Sequence, residues 1–157
     1  MQSFAVIDAV VCGDTMISDS KMVILSFSEL PVRYRMQSSA RHLENSEFDE
    51  AEALLEKAIA AYNEKRTEDF VTFMVENPAS DWAQTDLFIE LDLYYCQYIP
   101  YTNEKGNRCV WLNLFCRPIG DWKKHRVHVE GGGVCFFSVG LNLDTGKRFD
   151  FIVNEKK

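Results

Sequence analysis

Apolar positions along this chain change period once, from helical to strand-like, and the change falls between residues 76 and 87. Between Ser46 and Asn63, Phe48, Ala51, Leu55, Ala58, Ile59 and Tyr62 recur at three- and four-residue spacing. Glu47, Glu50, Glu52, Glu56, Lys57 and Glu64 fall mostly on other faces, which predicts an amphipathic helix. Ser46, three residues before Asp49, predicts its cap. A second, shorter helix is expected from Thr67 to about Glu76, carrying Phe70, Phe73 and Met74 and stopping before Asn77-Pro78. From Leu87 onward the period is two. Five strands are expected: Phe88–Tyr101, Cys109–Cys116, Trp122–Val129, Val134–Leu143 and Phe149–Val153. Their connections are turn-like and too short for a parallel crossover, so the strands should form an antiparallel meander. Upstream, Phe4–Val11 and Met22–Phe27 read as a strand pair, and Ser28 with Pro31 reads as the start of a helix running to about Leu43.

The pattern as a whole predicts an α+β fold, with helices packed on a curved antiparallel meander sheet, a cone or roll. All 157 residues fit one domain, in which residues 46–154 make the helix-plus-meander core and residues 1–45 add strands and a helix. A chain of this length removes roughly 68–70% of its unfolded surface from water, so it needs no metal or disulfide to fold.

Charge is unevenly spread. Net charge is −7, yet residues 44–92 hold 14 acidic against three basic residues, and residues 93–157 hold six against ten. Such a surface does not attract duplex nucleic acid, which needs clustered Lys and Arg. It suits steering toward a basic protein partner, or simply a solvated helix face. The five cysteines, Cys12, Cys96, Cys109, Cys116 and Cys135, are odd in number, show no C-x-x-C spacing and sit in apolar settings. They are expected to pack as small hydrophobes, free of disulfides, in a reducing compartment, with cytoplasm the default. The opening Met1–Cys12 run lacks a basic flank and is broken by Asp8, so it reads as a strand; export follows only if a leader has been removed. No run approaches the roughly 18 apolar residues of a membrane span.

From Ala58 through Tyr62-Asn63 and Asp69-Phe70 to Phe73, the text resembles the helix–turn–helix opening of the nuclear transport factor 2-like superfamily, or the related cystatin-like roll. The resemblance covers about residues 46–154. The stretch from Trp122 through Gly131-Gly132-Gly133 to Leu143 also resembles small uncharacterised proteins of gut bacteria. It implies a curved sheet closing over helices as a cone, in some members an acidic residue facing a tyrosine inside that cone, and in others sheet-to-sheet homodimers. It carries no catalytic residue across.

Candidate chemistry is sparse. His125 and His128, three apart on an expected strand, point to opposite faces and cannot share a metal. Structural histidines are the plainer reading of both, and His42 stands alone beside Arg41. Glu90 and Asp92 share a strand face, but residues two apart are always near, so the pairing is uninformative. An enzyme built in a cone pocket would draw on Asp92, Tyr94, Tyr98, Asn113 and His125. Asn113 is the most informative of these, because an amide among Cys109, Trp111 and Phe115 must find partners or face a cavity. Gly131-Gly132-Gly133 lacks the Lys-Ser/Thr of a phosphate loop and reads as a turn with positive φ. No catalytic set, metal set or cofactor motif emerges.

The reading is a non-enzymatic binding or inhibitory module of immunity, inhibitor or anti-defence type, with no cofactor and a protein as partner. Contact would run through Glu47, Glu50, Glu56 and Glu64 on the helix, or through Trp111, Lys124 and Arg126 on the sheet. The alternatives are a small isomerase- or dehydratase-type enzyme and a structural protein forming sheet-to-sheet dimers.

Overall fold

In β3 (Tyr95–Thr102) and β4 (Arg108–Phe115) nearly every side chain is buried, whichever way it points. A strand buried on both sides must be covered on both, and that requirement organises the molecule. The computed structural model describes residues 20–79 and 88–156. Its elements are β1 (Met22–Ile24), α1 (Val32–Arg35), β2 (Ser39–Ala40), α2 (Asn45–Glu76), β3, β4, β5 (Phe136–Asn142) and β6 (Lys147–Val153). The sheet runs β1-β3-β4-β5-β6, with β2 also pairing on β3. β3 to β6 form an antiparallel meander, while β1 pairs parallel with β3. The fold is α+β, a long helix on a mostly antiparallel open sheet.

Alternation sorts the strands into two faces. Cys96, Tyr98, Val110, Leu112, Leu114, Phe137, Val139 and Leu141 pack under α2 with Phe48, Leu55 and Ile59. Ile99, Tyr101, Cys109, Trp111, Phe115 and Phe136 face the other way. That second face is covered by the segment around Leu25 and Leu30 and by residues 117–134, which cross it as a strap. At Gly140 in β5 the ring of Phe149 lies where a Cβ would stand, so only glycine fits between the strands.

α2 corrects two expectations. It is one helix of 32 residues, not two. The polar stretch expected to turn at Arg66-Thr67 contains no glycine or proline. Lys65 and Arg66 pair with Asp69 at 3.1 and 3.0 Å, and Thr67 Oγ1 donates to Asn63 O at 2.9 Å, so the ladder continues to Asn77. Its cap is Glu44 with Glu47 in a reciprocal box, two residues before the Ser46–Asp49 pair. The helix face itself is as expected: Phe48, Ala51, Leu55, Ala58 and Ile59 are buried.

Three further expectations differ. The helix from Ser28 to Leu43 is instead a 3-10 turn (Phe27–Glu29), the four-residue α1 and the short β2. Trp122–Val129 is no strand but part of the strap. Phe88–Tyr101 is a strand only from Tyr95, with a 3-10 turn at Leu91–Leu93 before it. The strand expected at Phe4–Val11 lies outside the described residues.

The cysteine expectation fails at one pair. Cys116 and Cys135 are disulfide-bonded, their Cα atoms 4.9 Å apart. Register is the cause: Phe115 pairs with Phe136 across β4 and β5, so the next residues outward are Cys116 and Cys135. The backbone continues the ladder there, with Cys116 N donating to Cys135 O at 2.9 Å. The bond closes the base of the strap. Cys96 and Cys109 are free and buried. Among the described residues no helix is long and apolar enough to cross a membrane.

Candidate functional site

Gln97 is the polar centre of the strap face. It stands between Cys96 and Tyr98 in β3 and is 0% exposed. Its Nε2 donates to the carbonyls of Trp122 and His125, both at 2.7 Å. Its Oε1 accepts from Asn113 Nδ2 at 2.9 Å and from Val127 N at 3.0 Å. All four bonding positions of the amide are filled, and the orientation is fixed because carbonyls only accept and a backbone N–H only donates. Asn113 Nδ2 also donates to Val127 O at 2.8 Å. Trp122, His125 and Val127 thus send main-chain bonds to two side-chain amides instead of a neighbouring strand, and the N–H groups of Lys124 and His125 turn back to Asp121 O, which is why a strand-like sequence forms a strap.

Other contacts hold the strap at its sides. Glu29 Oε1 accepts from Arg126 N at 2.8 Å, and Arg126 Nη1 donates to Glu29 O at 2.8 Å. Asn154 Nδ2 donates to the carbonyls of Val129 and Gly131 at 2.6 and 2.9 Å. Gly132 has φ 88°, and a Cβ there would stand 2.5 Å from the Phe136 ring, so glycine is required where the strap turns back to β5.

Between the strap, α1 and the sheet lies a cavity of about 230 Å³, whose walls include Pro31, Arg33, Trp111, Asn113, Arg126 and His128. Two features mark it. Trp111 is 4% exposed, and its Nε1 has no hydrogen-bond partner among the described residues. Positive charge also gathers without matching negative charge. Burial lowers the Arg126 guanidinium from its ordinary pKa; Glu29 opposes the shift, and Arg33 and Arg35 add to it. Arg35 Nε is likewise buried and unpartnered. Arg33 lies over the Tyr34 ring at 4.5 Å, and neither it nor Arg126 is in an ion pair among the described residues. Tyr34 sits 6.4 Å from Trp111, centroid to centroid, and donates to Asp150 Oδ2 at 2.6 Å. Burial, then that bond, pushes its phenol up to about 12.

The residues considered for an enzyme do not converge. Asp92 is exposed in a 3-10 turn. Tyr94 is buried, its OH donating to Val134 O at 2.5 Å. Tyr98 is sealed under α2 against Phe48, with burial pushing its phenol well above the ordinary value. Asn113 is on the opposite sheet face, held by Gln97 and Val127. His125 is exposed on the strap, its Nδ1 3.4 Å from Glu29 Oε2. Between α2 and the sheet the side chains of Phe48, Leu55, Ile59, Leu112 and Val139 pack together. A second cavity, of about 270 Å³, runs beside the disulfide between Tyr94, Val134 and Gly133. Among the described residues no group of three or more His, Cys, Asp or Glu is placed to hold a metal.

The acidic helix face is smaller than its sequence suggests. Glu47 is 3% exposed, with Arg41 bound at 3.0 and 2.8 Å and Arg108 at 3.0 Å. Burial alone would raise its pKa, but bonds from Arg41, Glu44 N and Arg108 outweigh it and hold the carboxyl at about 2. It forms a buried ion pair with Arg41 and Arg108. Glu50 lies 3.5 Å from Arg108 and stays exposed, as do Glu56 and Glu64. Of the sheet candidates, Trp111 and Arg126 meet at the cavity, while Lys124 is exposed on the strap. Sequence reasoning missed Gln97 and Arg33. Gln97 had a signal, as the single amide in the run Tyr95–Tyr101; Arg33 had none, because its place depends on where α1 docks.

No family model, curated protein or solved structure matches the chain.

Proposed function

We propose that this protein is a non-enzymatic binding module that works by protein–protein contact through the strap face. The observation that carries the reading is the cavity under the strap, where Arg33 and Arg126 meet beside Trp111 with no ion pair to either arginine among the described residues. Trp and Arg are among the residue types that most often anchor interfaces. Several facts weigh in the same direction. Beneath α2 the side chains of Phe48, Leu55 and Ile59 pack against the sheet, which supports this reading over a cone-pocket enzyme. Over β3–β5 both sheet faces are covered, which leaves little open sheet for a face-to-face dimer. Among the described residues β6 is an edge of the sheet, and it carries Lys147, Arg148 and Asp150 at φ 53°, beside a bulge, features that discourage edge pairing. The Cys116–Cys135 bond favours an oxidising compartment, so the partner is best sought among exported or surface proteins.

The test is capture of partners on immobilised protein, comparing charge reversals on the two layers. Lys124→Glu with Arg126→Glu should abolish capture, while Glu56→Lys with Glu64→Lys on α2 should leave it intact. The opposite pattern would move the interface to the acidic helix and refute the strap-face reading.

A further inference from the structure

We propose that the cavity beneath the strap is a carboxylate site, which takes the acidic side chain of a partner polypeptide between Arg33 and Arg126, against the wall that Trp111 forms. This rests on the strap-face reading above and names the chemistry of that same site. Three observations carry it. Trp111 forms a rigid, almost wholly buried wall of the cavity. Arg126 gives Nη1 to Glu29 O, and the rest of its fork has no partner among the described residues. Arg33 lines the same cavity without an ion pair. A planar guanidinium matches a carboxylate with two parallel bonds, and the attraction strengthens where water is excluded.

Size and walls select the ligand. At about 230 Å³ the cavity is smaller than the ≈300–1,000 Å³ of typical small-molecule sites, which suits one side chain and not a cofactor. Val127, Val129, Phe136 and Ile152 give it apolar walls, a fit for the methylenes below a carboxylate. A phosphate, with three charged oxygens and no stem, would waste those walls. Charge also favours an incoming anion. Arg33, Arg35 and Arg126 lie together, while the carboxylates beside them are already engaged, Glu29 by the Arg126 backbone N–H and Asp150 by the Tyr34 hydroxyl.

Trp111 supplies its own reporter. In disulfide-intact, nitrogen-15-labelled protein, the indole N–H resonance assigned through Trp111→Phe is followed at fixed ionic strength. The titrants are acetyl-Gly-Glu-Gly-amide, its Gln counterpart, acetate and inorganic phosphate. The Glu peptide should shift the resonance saturably and bind more tightly than acetate, with the Gln peptide silent. Arg126→Gln and, separately, the exposed Arg33→Gln should each weaken binding by about tenfold or more, the worth of one charge-assisted hydrogen bond. Lys105→Gln, in the β3–β4 turn, should change nothing. An unmoved indole, an equal response to the Gln peptide, acetate or phosphate, or full binding by the well-folded Arg33→Gln variant overturns the inference. If the peptide fails while partner capture still depends on Lys124, the carboxylate site falls and the binding-module reading stands. If the peptide binds while capture ignores the strap face, the site stands and that reading falls.

Discussion

Replacing Gln97 should loosen the strap more than any other single substitution in the sheet. Gln97→Met keeps the length of the side chain and deletes four hydrogen bonds of 2.7–3.0 Å. Asn113 retains its bond to Val127 O but its other Nδ2 hydrogen loses Gln97, so the groups stranded are that N–H, the carbonyls of Trp122 and His125 and the N–H of Val127. The Trp122 carbonyl is in a fully buried bond and should cost about 1–3 kcal/mol unsatisfied. The other three are half-buried and can meet water, costing about 0.5–1.5 kcal/mol each. The sum, about 2.5–7.5 kcal/mol, is a large part of the 5–15 kcal/mol that holds a typical domain. Gln97→Glu sharpens the test. It is isosteric, but at neutral pH it turns two carbonyls toward a carboxylate oxygen, so it should be worse than Gln97→Met. Protonation restores one donor, so the folded pKa of that Glu must lie above its unfolded value, and the variant should regain stability as pH falls from about 7 to about 5. Urea melts followed by circular dichroism at both values measure this. The reasoning is refuted if Gln97→Met stays within about 0.5 kcal/mol of the parent, or if Gln97→Glu is no worse than Gln97→Met.

The Glu47 carboxyl, held at about 2 against an ordinary 4.5, should contribute about 3 kcal/mol that is complete above the higher value and lost as pH falls toward the lower. Glu47→Gln should therefore lower the melting temperature at neutral pH and flatten its decline in acid; an unchanged acid limb would show that Arg41 and Arg108 are not its partners. Replacing Cys116 and Cys135 together by Ala opens a loop spanning 19 positions and should cost about 2–4 kcal/mol in chemical denaturation. Intact mass under non-reducing conditions checks the bond directly, since reduction must add two hydrogens. Leu55→Ala, beneath α2 at 2% exposure, should cost about 2–5 kcal/mol in the same melts; a silent truncation would disprove the packing of that helix.

Local pattern was enough for the elements whose partner is the bulk of the core. The α2 face of Phe48, Leu55 and Ile59, the antiparallel order of β3 to β6 and the α+β class were legible, because a period of 3.6 or 2 states which side must leave water. What the period does not state is what covers the other side. The strap reads as a strand because Val127 and Val129 alternate with polar residues, yet its main chain bonds to the amides of Gln97 and Asn113, a choice made by residues some 14 to 30 positions away. The Cys116–Cys135 bond likewise depends on the register of Phe115 with Phe136, which no spacing of cysteines reveals. Glu47 looked like one more charge on an acidic helix until Arg41 and Arg108 converged on it. Trp111, Arg126 and Lys124 were visible as candidates, but the cavity that unites the first two with Arg33 exists only because α1 and the strap dock on one face. Hydrophobic period is written residue by residue and survives in the sequence alone. Polar satisfaction is a matter of pairing across the chain, and only the tertiary structure decides it.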